Sequence, residues 1–330
     1  MEYQKAMELW IEYTLMDDKV TIISCKGYGN VVVIPSSIKG KPVTKLGAYA
    51  FSDCKKSKEF LPLETKLYNE VIPGATVPGC TLEYIGGRNL KEIYLPETLE
   101  VLEEYAFYDC RELEILHICS GKIEFQNGVF MNCEKLREVN IKGKPDQITC
   151  VSEILSEKSD EVYVHFISGE GKGVFLFPEF YEDSIENTPA RIFHYLIYGA
   201  GYRYRQCFSQ GRLNILAYDT VFKAAEIKNI HETALKIAFL RLRYPYQLQE
   251  TMRDNYLNYI KTHVEAAIDF IISNDKIENM IFLTSLNCMT DENYTKALTK
   301  VTTQGKKEWA SMLLKEKLHY FPPKEKSFDL

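Results

Sequence analysis

The sequence lacks a long apolar run. Residues 1–18 include acidic side chains, and the longest strongly apolar run near the N-terminus is Val31–Ile34. A membrane span needs about 20 consecutive apolar residues, and a secretory leader needs roughly 7–15 after a basic start. We therefore expect no membrane interaction and a cytoplasmic location, with export as the alternative if a leader was trimmed.

The sequence also lacks clustered positive charge. Its 40 lysines and arginines are outnumbered by 46 aspartates and glutamates, which gives a formal net charge of −6 at pH 7. Nucleic-acid binding depends on grouped Lys and Arg, because these displace counterions from phosphates. We therefore expect no nucleic-acid partner.

Motifs for cofactor or metal chemistry are missing as well. The glycine-rich stretch Gly169–Gly173 does not have the Gly-x-x-x-x-Gly-Lys-Ser/Thr spacing of a phosphate-binding loop. His117 lies close to Cys119, but no further ligands at metal-binding spacing accompany them. The 9 cysteines cannot all pair, which fits reduced thiols in the cytoplasm. The sequence thus predicts no cofactor, no metal and no catalytic residue.

What the sequence does contain is a repeat with a period of 23 residues. Each copy has an aromatic residue, then a small residue, then a leucine at constant spacing: Tyr84/Gly87/Leu90, Phe107/Cys110/Leu113 and Phe130/Cys133/Leu136. An earlier copy contains Phe51 and Cys54. This period fits one strand and one return segment per turn of a solenoid, because stacked turns bury each other's apolar side. We expect Phe51, Phe107 and Phe130 in the core, and Cys54, Cys110 and Cys133 in a buried ladder.

The repeat resembles a known class. The pattern Ile-Pro-x-x-[Val/Leu], followed by Ile-x-x-x-Ala-Phe-x-x-Cys-x-x-Leu, resembles the BspA-like leucine-rich repeats over Val31–Ile141. The resemblance implies a partner-binding solenoid without chemistry of its own. The chain departs from the class between Lys55 and Thr81, where Phe51 and Tyr84 are more than one period apart. Prolines and glycines in this stretch predict an insertion or a degraded coil.

Patterns outside the repeat predict an α+β fold, with a short solenoid followed by a mainly α-helical domain. Trp10–Leu15 and Val20–Ser24 are β-patterned runs around a turn and predict a hairpin that caps the solenoid. The predicted regions are residues 1–30 for the cap, 31–160 for the repeats with an insertion near 55–81, 161–184 for closing strands, and 185–330 for the helical domain. Helical periodicity predicts helices over Thr220–Ile227, His231–Leu242, Leu248–Ser273, Ile277–Leu286, Asn293–Thr303 and Lys306–Leu318.

The last predicted helices show a second resemblance. The stretch from Ala297 through Gly305 to Leu314 resembles an ankyrin-like helical hairpin, although no Thr-Pro-Leu-His sequence is present. The region Asn293–Phe321 is also similar to the helical tails of bacterial leucine-rich repeat proteins of this class. Both resemblances imply interaction with a partner.

The repeat register predicts which side chains leave the core. Because side chains alternate along a strand, placing the repeat aliphatic residues inward exposes two columns across successive coils. These columns are Glu92/Ile115/Glu138 and Tyr94/His117/Asn140, and we call the surface they form the strand face. An exposed isoleucine beside aromatic and polar side chains is suited to anchor a partner, with carboxylates at the rim. The alternative interpretation is an ordinary solvated sheet, or one covered by the helical domain.

A second candidate site lies in the segment Tyr198–Phe208, which combines glycines, tyrosines and cations. Arg203 or Arg205 could bind a carboxylate or phosphate, and Cys207 could be activated by the positive charge. The alternative is a packed strand or hairpin in which an arginine pairs with Asp219 or another acid.

Together these patterns favour a non-enzymatic scaffold that binds a protein or peptide through the strand face. The first alternative is a small-anion receptor or enzyme centred on Arg203, Arg205 and Cys207. The second is an exported adhesin or glycan binder.

Overall fold

The structure of the protein is a computed structural model, which describes residues 8–54, 59, 61, 65–74, 79, 81–187, 192–226 and 231–322. Much of the predicted insertion near 55–81, including Pro62 and Pro78, lies outside the described residues.

The strands are short in the repeats and longer in the hairpins. Their bounds are β1 Leu9–Met16, β2 Lys19–Gly27, β3 Val31–Val33, β4 Ser37–Ile38, β5 Lys41–Leu46, β6 Tyr68–Ile72, β7 Glu83–Tyr84, β8 Glu92–Tyr94, β9 Val101–Leu102, β10 Ile115–Cys119, β11 Glu124–Phe125, β12 Glu138–Lys142, β13 Val162–Ser168, β14 Gly171–Phe177, β15 Phe180–Asn187, β16 Ile192–Gly199, β17 Phe208–Ser209 and β18 Arg212–Leu213.

The helices follow mainly in the C-terminal third. Their bounds are α1 Val151–Ser156, α2 Gly201–Arg205, α3 Ile215–Glu226, α4 His231–Arg243, α5 Glu250–Thr262, α6 Val264–Ser273, α7 Ile277–Ser285, α8 Asp291–Thr303 and α9 Lys307–Tyr320. The combination of a solenoid and a helical region confirms the predicted fold class.

The main sheet of the solenoid has the order β14-β13-β12-β10-β8-β3. Strands β3, β8, β10, β12 and β13 pair in parallel, as successive turns of a solenoid require. Leu116 of β10 is aligned with Ile93 of β8 and Val139 of β12, which is the register that the period of the repeat predicts. Strand β14 returns antiparallel on β13 and is the last strand on this side of the sheet.

A second sheet has the path β11-β9-β5-β2-β1-β6. Its strands β5, β9 and β11 are parallel and come from successive coils. The antiparallel hairpin β1–β2 joins this sheet through β2, which pairs in parallel with β5. This hairpin continues the sheet where a first coil would otherwise leave an open edge.

The core between the sheets contains a stack of phenylalanine rings. Phe51 and Phe107 have ring centroids 5.3 Å apart, Phe107 and Phe130 have centroids 5.2 Å apart, and none of the three side chains is exposed. The near-parallel rings repeat at the spacing of adjacent strands, which is about 4.8 Å. The predicted core role of these residues is confirmed.

The assignment of Tyr84 to the aromatic position of a coil was wrong. Phe51 stacks directly on Phe107, and Val32 of β3 is aligned with Ile93 of β8. The extra residues therefore interrupt a single coil between Phe51 and Leu90. The Tyr84 hydroxyl instead lies 3.0 Å from the Ala50 carbonyl oxygen and 2.9 Å from that of Ser52.

The cysteine ladder exists in part. Cys110 and Cys133 are buried, and their thiols donate to the carbonyl oxygens of Phe51 and Phe107 of the preceding coil, at 3.1 and 3.2 Å. Cys54 is exposed, contrary to the expected ladder, because the interruption of its coil begins at this point.

Two charged side chains, Glu157 and Lys158, bind backbone groups at the end of the row of coils that contains Phe107 and Phe130. Phe107 donates its backbone N–H to Val129 of the next coil, but no further coil follows Val129 and Phe130 in the same way. Their N–H groups donate instead to the Glu157 carboxylate at 3.2 and 2.6 Å. The ammonium of Lys158, which is only 5% exposed, donates to the Cys133 carbonyl at 2.6 Å. The two side chains thus satisfy backbone groups that an open solenoid end would leave unpaired.

The chain divides into two compact units, Met1–Val221 and Phe222–Leu330. The predicted helical domain began earlier, at residue 185, but β15 and β16 form an antiparallel hairpin there. The aromatic and β-branched residues of β16 explain the difference, since they favour strand over helix. The predicted helix Leu248–Ser273 is also divided, because His263 leaves helical geometry with φ −117° and ψ 29°.

The helical unit has a repeat of its own. Lys296 pairs with Glu265, Lys300 with Asp269, and Lys306 with Asp275, and all three pairs have a sequence separation of 31. The pairs link equivalent positions of the helical hairpins α6–α7 and α8–α9. Asp275 and Gly305 occupy the two hairpin turns with φ of 52° and 70°, a backbone region that favours glycine. The specific likeness to ankyrin hairpins stays a prediction.

The phenylalanine stack makes a prediction about stability. Phe107→Ala should lower the free energy of unfolding by about 3–5 kcal/mol, because the cavity lies between two other rings. Met131→Ala is the matched control: its side chain is 49% exposed, so a change within about 0.5 kcal/mol is expected. Urea unfolding followed by circular dichroism measures both values, and equal effects would contradict the stack as a source of stability.

The Glu157 cap makes a second prediction. Glu157→Ala leaves two N–H groups without their acceptor and should cost about 1–3 kcal/mol, whereas Glu157→Gln keeps one acceptor and should cost less.

Burial raises the pKa of Glu157, so the folded chain binds this proton more tightly than the unfolded chain. The folded state therefore gains stability from the protonated form of Glu157, and this part of the free energy of unfolding is lost as pH rises from the ordinary glutamate pKa through the raised one. Unfolding of wild type and Glu157→Gln across that range should show a stability difference that shrinks with pH, and a growing difference would contradict the assignment.

Candidate functional site

The strand face carries a cluster centred on the Glu92 carboxylate. The Tyr94 hydroxyl donates to Oε1 of Glu92 at 2.7 Å, and Nε2 of His117 lies 2.7 Å from the same oxygen. A carboxylate is only an acceptor when ionised, so Nε2 carries the proton in this arrangement. The Tyr94 and His117 rings are parallel within 5° with centroids 3.8 Å apart. Three side chains from two adjacent strands are thus held in one arrangement before any partner arrives.

These residues remain accessible. The exposed fraction of the side chain is 24% for Glu92 and 25% for His117, and Tyr94 is half-buried. Ile115 is half-buried beside them, aligned with Glu92 on one side and Glu138 on the other. The register places the six residues of the predicted columns on the same side of the sheet, but Asn140 is buried, at 9% exposed, contrary to the expectation that both columns would be accessible.

A second cluster repeats the arrangement further along the sheet. Oε1 of Glu138 accepts from Nδ2 of Asn140 at 2.9 Å and lies 3.9 Å from Nε2 of His165. Burial lowers the pKa of His165, and this effect exceeds that of the Glu138 charge, which acts in the opposite direction. Both clusters thus contain a glutamate, a polar residue two positions later in the strand, and a histidine on a neighbouring strand.

Sequence reasoning missed the second half of this surface. Strand β13 aligns Tyr163 with Glu138 and His165 with Asn140, and so extends both columns. The coil between β12 and β13 contains helix α1 and does not keep the period, so no repeat spacing identified these residues. The alternating run Val162–Ile167, inside the region 161–184 predicted to contain closing strands, was the available signal.

The face ends at β14. Val174 and Leu176 follow His165 and Tyr163 in register, but both are fully buried. The outer edge of β14 is closed by Tyr218 of α3, whose hydroxyl donates to the Leu176 carbonyl at 2.6 Å and accepts from the Leu176 N–H at 3.0 Å. The accessible part of the strand face therefore lies on β8, β10, β12 and the adjoining positions of β13.

The other predicted site does not form a pocket for an anion. Arg203 and Arg205 lie in the short helix α2, where residues two apart point in different directions; Arg203 is exposed and Arg205 half-buried. The Arg205 guanidinium donates to backbone carbonyls from several segments, namely those of Leu155, Lys158, Asp160, Pro178 and Gly201. It also lies 4.8 Å from the centre of the Phe180 ring. The guanidinium donors thus hold several backbone segments together. The nearby negative charge of Asp160 interacts favourably with the guanidinium.

Local packing explains the glycine in this segment. A Cβ atom at Gly201 would lie 1.9 Å from the Pro178 carbonyl oxygen, so only glycine allows α2 to approach the backbone at Pro178. The close approach is what lets Arg205 reach the Pro178 carbonyl.

Cys207 shows no activation. It is buried, and its thiol donates to the Arg203 carbonyl at 3.5 Å. Burial, together with the charge of Asp219, raises its pKa to about 12. A nucleophilic cysteine needs the opposite shift, because the thiolate is the reactive form.

Metal binding finds no support in the described parts of the chain. No group of three or more His, Cys, Asp or Glu side chains there could hold an ion. Within the same parts, no helix combines the length and apolar character required to cross a membrane.

The fold and the register define a leucine-rich repeat solenoid. The family model described as "BspA type Leucine rich repeat region (6 copies)" matches residues 83–154, so this region is a BspA-type leucine-rich repeat region. The crystal structure of a T. pallidum leucine-rich repeat protein is similar at 22% sequence identity over 39% of this chain and 67% of that chain, with a TM-score of 0.21. No curated protein matches the chain.

The buried thiol generates a third prediction. At pH 8 a thiol with a pKa near 12 is only about one part in ten thousand thiolate, so Cys207 should react with a maleimide far more slowly than exposed Cys54. Labelling of the folded chain followed by peptide mass spectrometry gives both rates. Cys207 labelling as fast as Cys54, together with a phosphate-induced rise in melting temperature, would favour the enzyme or anion-receptor alternative.

Proposed function

We propose that the strand face binds a protein or peptide partner, that the protein is a non-enzymatic scaffold, and that it acts in the cytoplasm. The contact residues are Glu92, Tyr94, Ile115, His117, Glu138 and Asn140. The observation that carries the proposal is the Glu92 cluster, in which a carboxylate, a phenol and an imidazole are fixed to each other and still reach solvent.

Fixed side chains favour affinity. Immobilising a flexible side chain on binding costs about 0.5–1.5 kcal/mol. Tyr94 and His117 are already stacked, and both are hydrogen-bonded to Glu92. Little of that ordering cost therefore remains when a partner arrives.

The chemistry of the face also limits the partner. Glu92 and Glu138 offer carboxylate oxygens on either side of half-buried Ile115. This arrangement suits a partner that presents an apolar side chain between N–H or ammonium donors, since carboxylates accept such bonds strongly. A central apolar anchor with a polar rim is the usual arrangement of a protein-binding surface.

The test of this proposal replaces three central residues of the strand face with alanine. The variant Tyr94→Ala/Ile115→Ala/His117→Ala should lose the partners that wild type recovers from cell extract in a pull-down. The matched control is Met16→Ala/Lys19→Ala/Glu100→Ala, which changes two well-exposed residues of the second sheet and one that directly precedes its strand β9.

Equal folding of both variants is established first by thermal melting. Recovery of the same partners by the strand-face variant would refute the proposed surface. Equal losses in both variants would also refute it, because the effect would not then belong to the strand face.

A further inference from the structure

Strands β15 and β16 form a two-stranded sheet that joins no other sheet in the described structure. Each strand has 8 residues. An isolated two-stranded sheet is marginal in water and exposes two edges that can pair with another strand. Apolar side chains are also accessible on this hairpin, with Tyr181, Ile197 and Tyr198 exposed by 62%, 39% and 38%.

The base of the hairpin is well anchored. Phe180 donates its backbone N–H to the Ser159 carbonyl at 3.0 Å, and the Phe180 ring lies against the Arg205 guanidinium. At the same end, the Tyr181 and Tyr198 rings stack with centroids 4.8 Å apart. The hairpin is thus attached to the solenoid unit, while the outer edges of its two strands pair with no other strand among the described residues.

Charge is distributed unequally between the two strands. Glu182, Asp183 and Glu186 all belong to β15, whereas β16 contains no Asp, Glu, Lys or Arg. Natural sheets protect exposed edges by placing charges on them. The β15 edge has this protection and the β16 edge does not.

We propose that β16 pairs antiparallel with β16 of a second copy of this chain, which gives a continuous four-stranded sheet across a two-fold axis. With the axis at Tyr195, Phe193 is opposite Ile197 and His194 is opposite Leu196, so no like charges meet. This contact is self-complementary and closed, as a symmetric dimer requires.

The other pairings are less favourable. A β15–β15 contact centred on Ser184 would align Glu182 with Glu186, and like charges directly opposite each other are destabilising. A β15–β16 contact between copies is head-to-tail and does not close with two subunits. Charge and symmetry together therefore select the β16 edge.

Sedimentation velocity of the full chain over a concentration series tests the proposal. Wild type should show a monomer–dimer equilibrium. Leu196→Glu, at a position 37% exposed in one copy, should weaken dimerisation by about tenfold or more, because the two introduced glutamates would be diagonal neighbours across the two-fold axis, where their like charges repel. Ser184→Glu is the matched control, since it adds the same charge at an exposed position of β15 and should leave the dimer unchanged.

Hydrogen exchange of the wild-type chain gives a second measurement that needs no variant. Amides of β16 should exchange more slowly at concentrations where the dimer predominates than at concentrations where the monomer does. A wild-type chain that is monomeric at every concentration would overturn the proposal. So would an equal effect of Leu196→Glu and Ser184→Glu, or a dimer whose β16 amides are not protected.

Discussion

The stacking of one coil on the next is the constraint on which the rest of the structure depends. Phe51, Phe107 and Phe130 lie in one column of rings, and the strands beside them are held in parallel register. Because side chains alternate along each strand, this register also decides which residues leave the core. The accessible columns of the strand face are therefore a consequence of core packing.

A solenoid must also end, and its ends use different chemistry from its middle. Hairpin β1–β2 continues one sheet, and the Tyr218 hydroxyl forms hydrogen bonds with the N–H and carbonyl groups of Leu176 at the edge of the other. Glu157 and Lys158 provide an acceptor and a donor to the last turn of the ladder. Charged and polar side chains thus pair with backbone groups that further coils would otherwise pair with.

The predictive power of the sequence follows from the same physics. Constant spacing made the columns of Glu92 and Tyr94 predictable, because equal coils place equal positions side by side. The same reasoning misplaced Tyr84, since a spacing rule cannot locate an insertion inside a coil, and it missed His165, whose coil contains a helix. The role of Arg205 depends on carbonyl groups from distant segments, and no local pattern reveals such a meeting.

The central claim is that a partner lies directly on the strand face. The most direct measurement places a photo-crosslinking amino acid at Ile115, between the Glu92 and Glu138 positions, and identifies adducts in living cells by mass spectrometry. The account predicts an adduct with a defined protein that is absent when the same amino acid replaces Met16, which is 74% exposed on the second sheet. No adduct at position 115, or the same adducts at both positions, would contradict it.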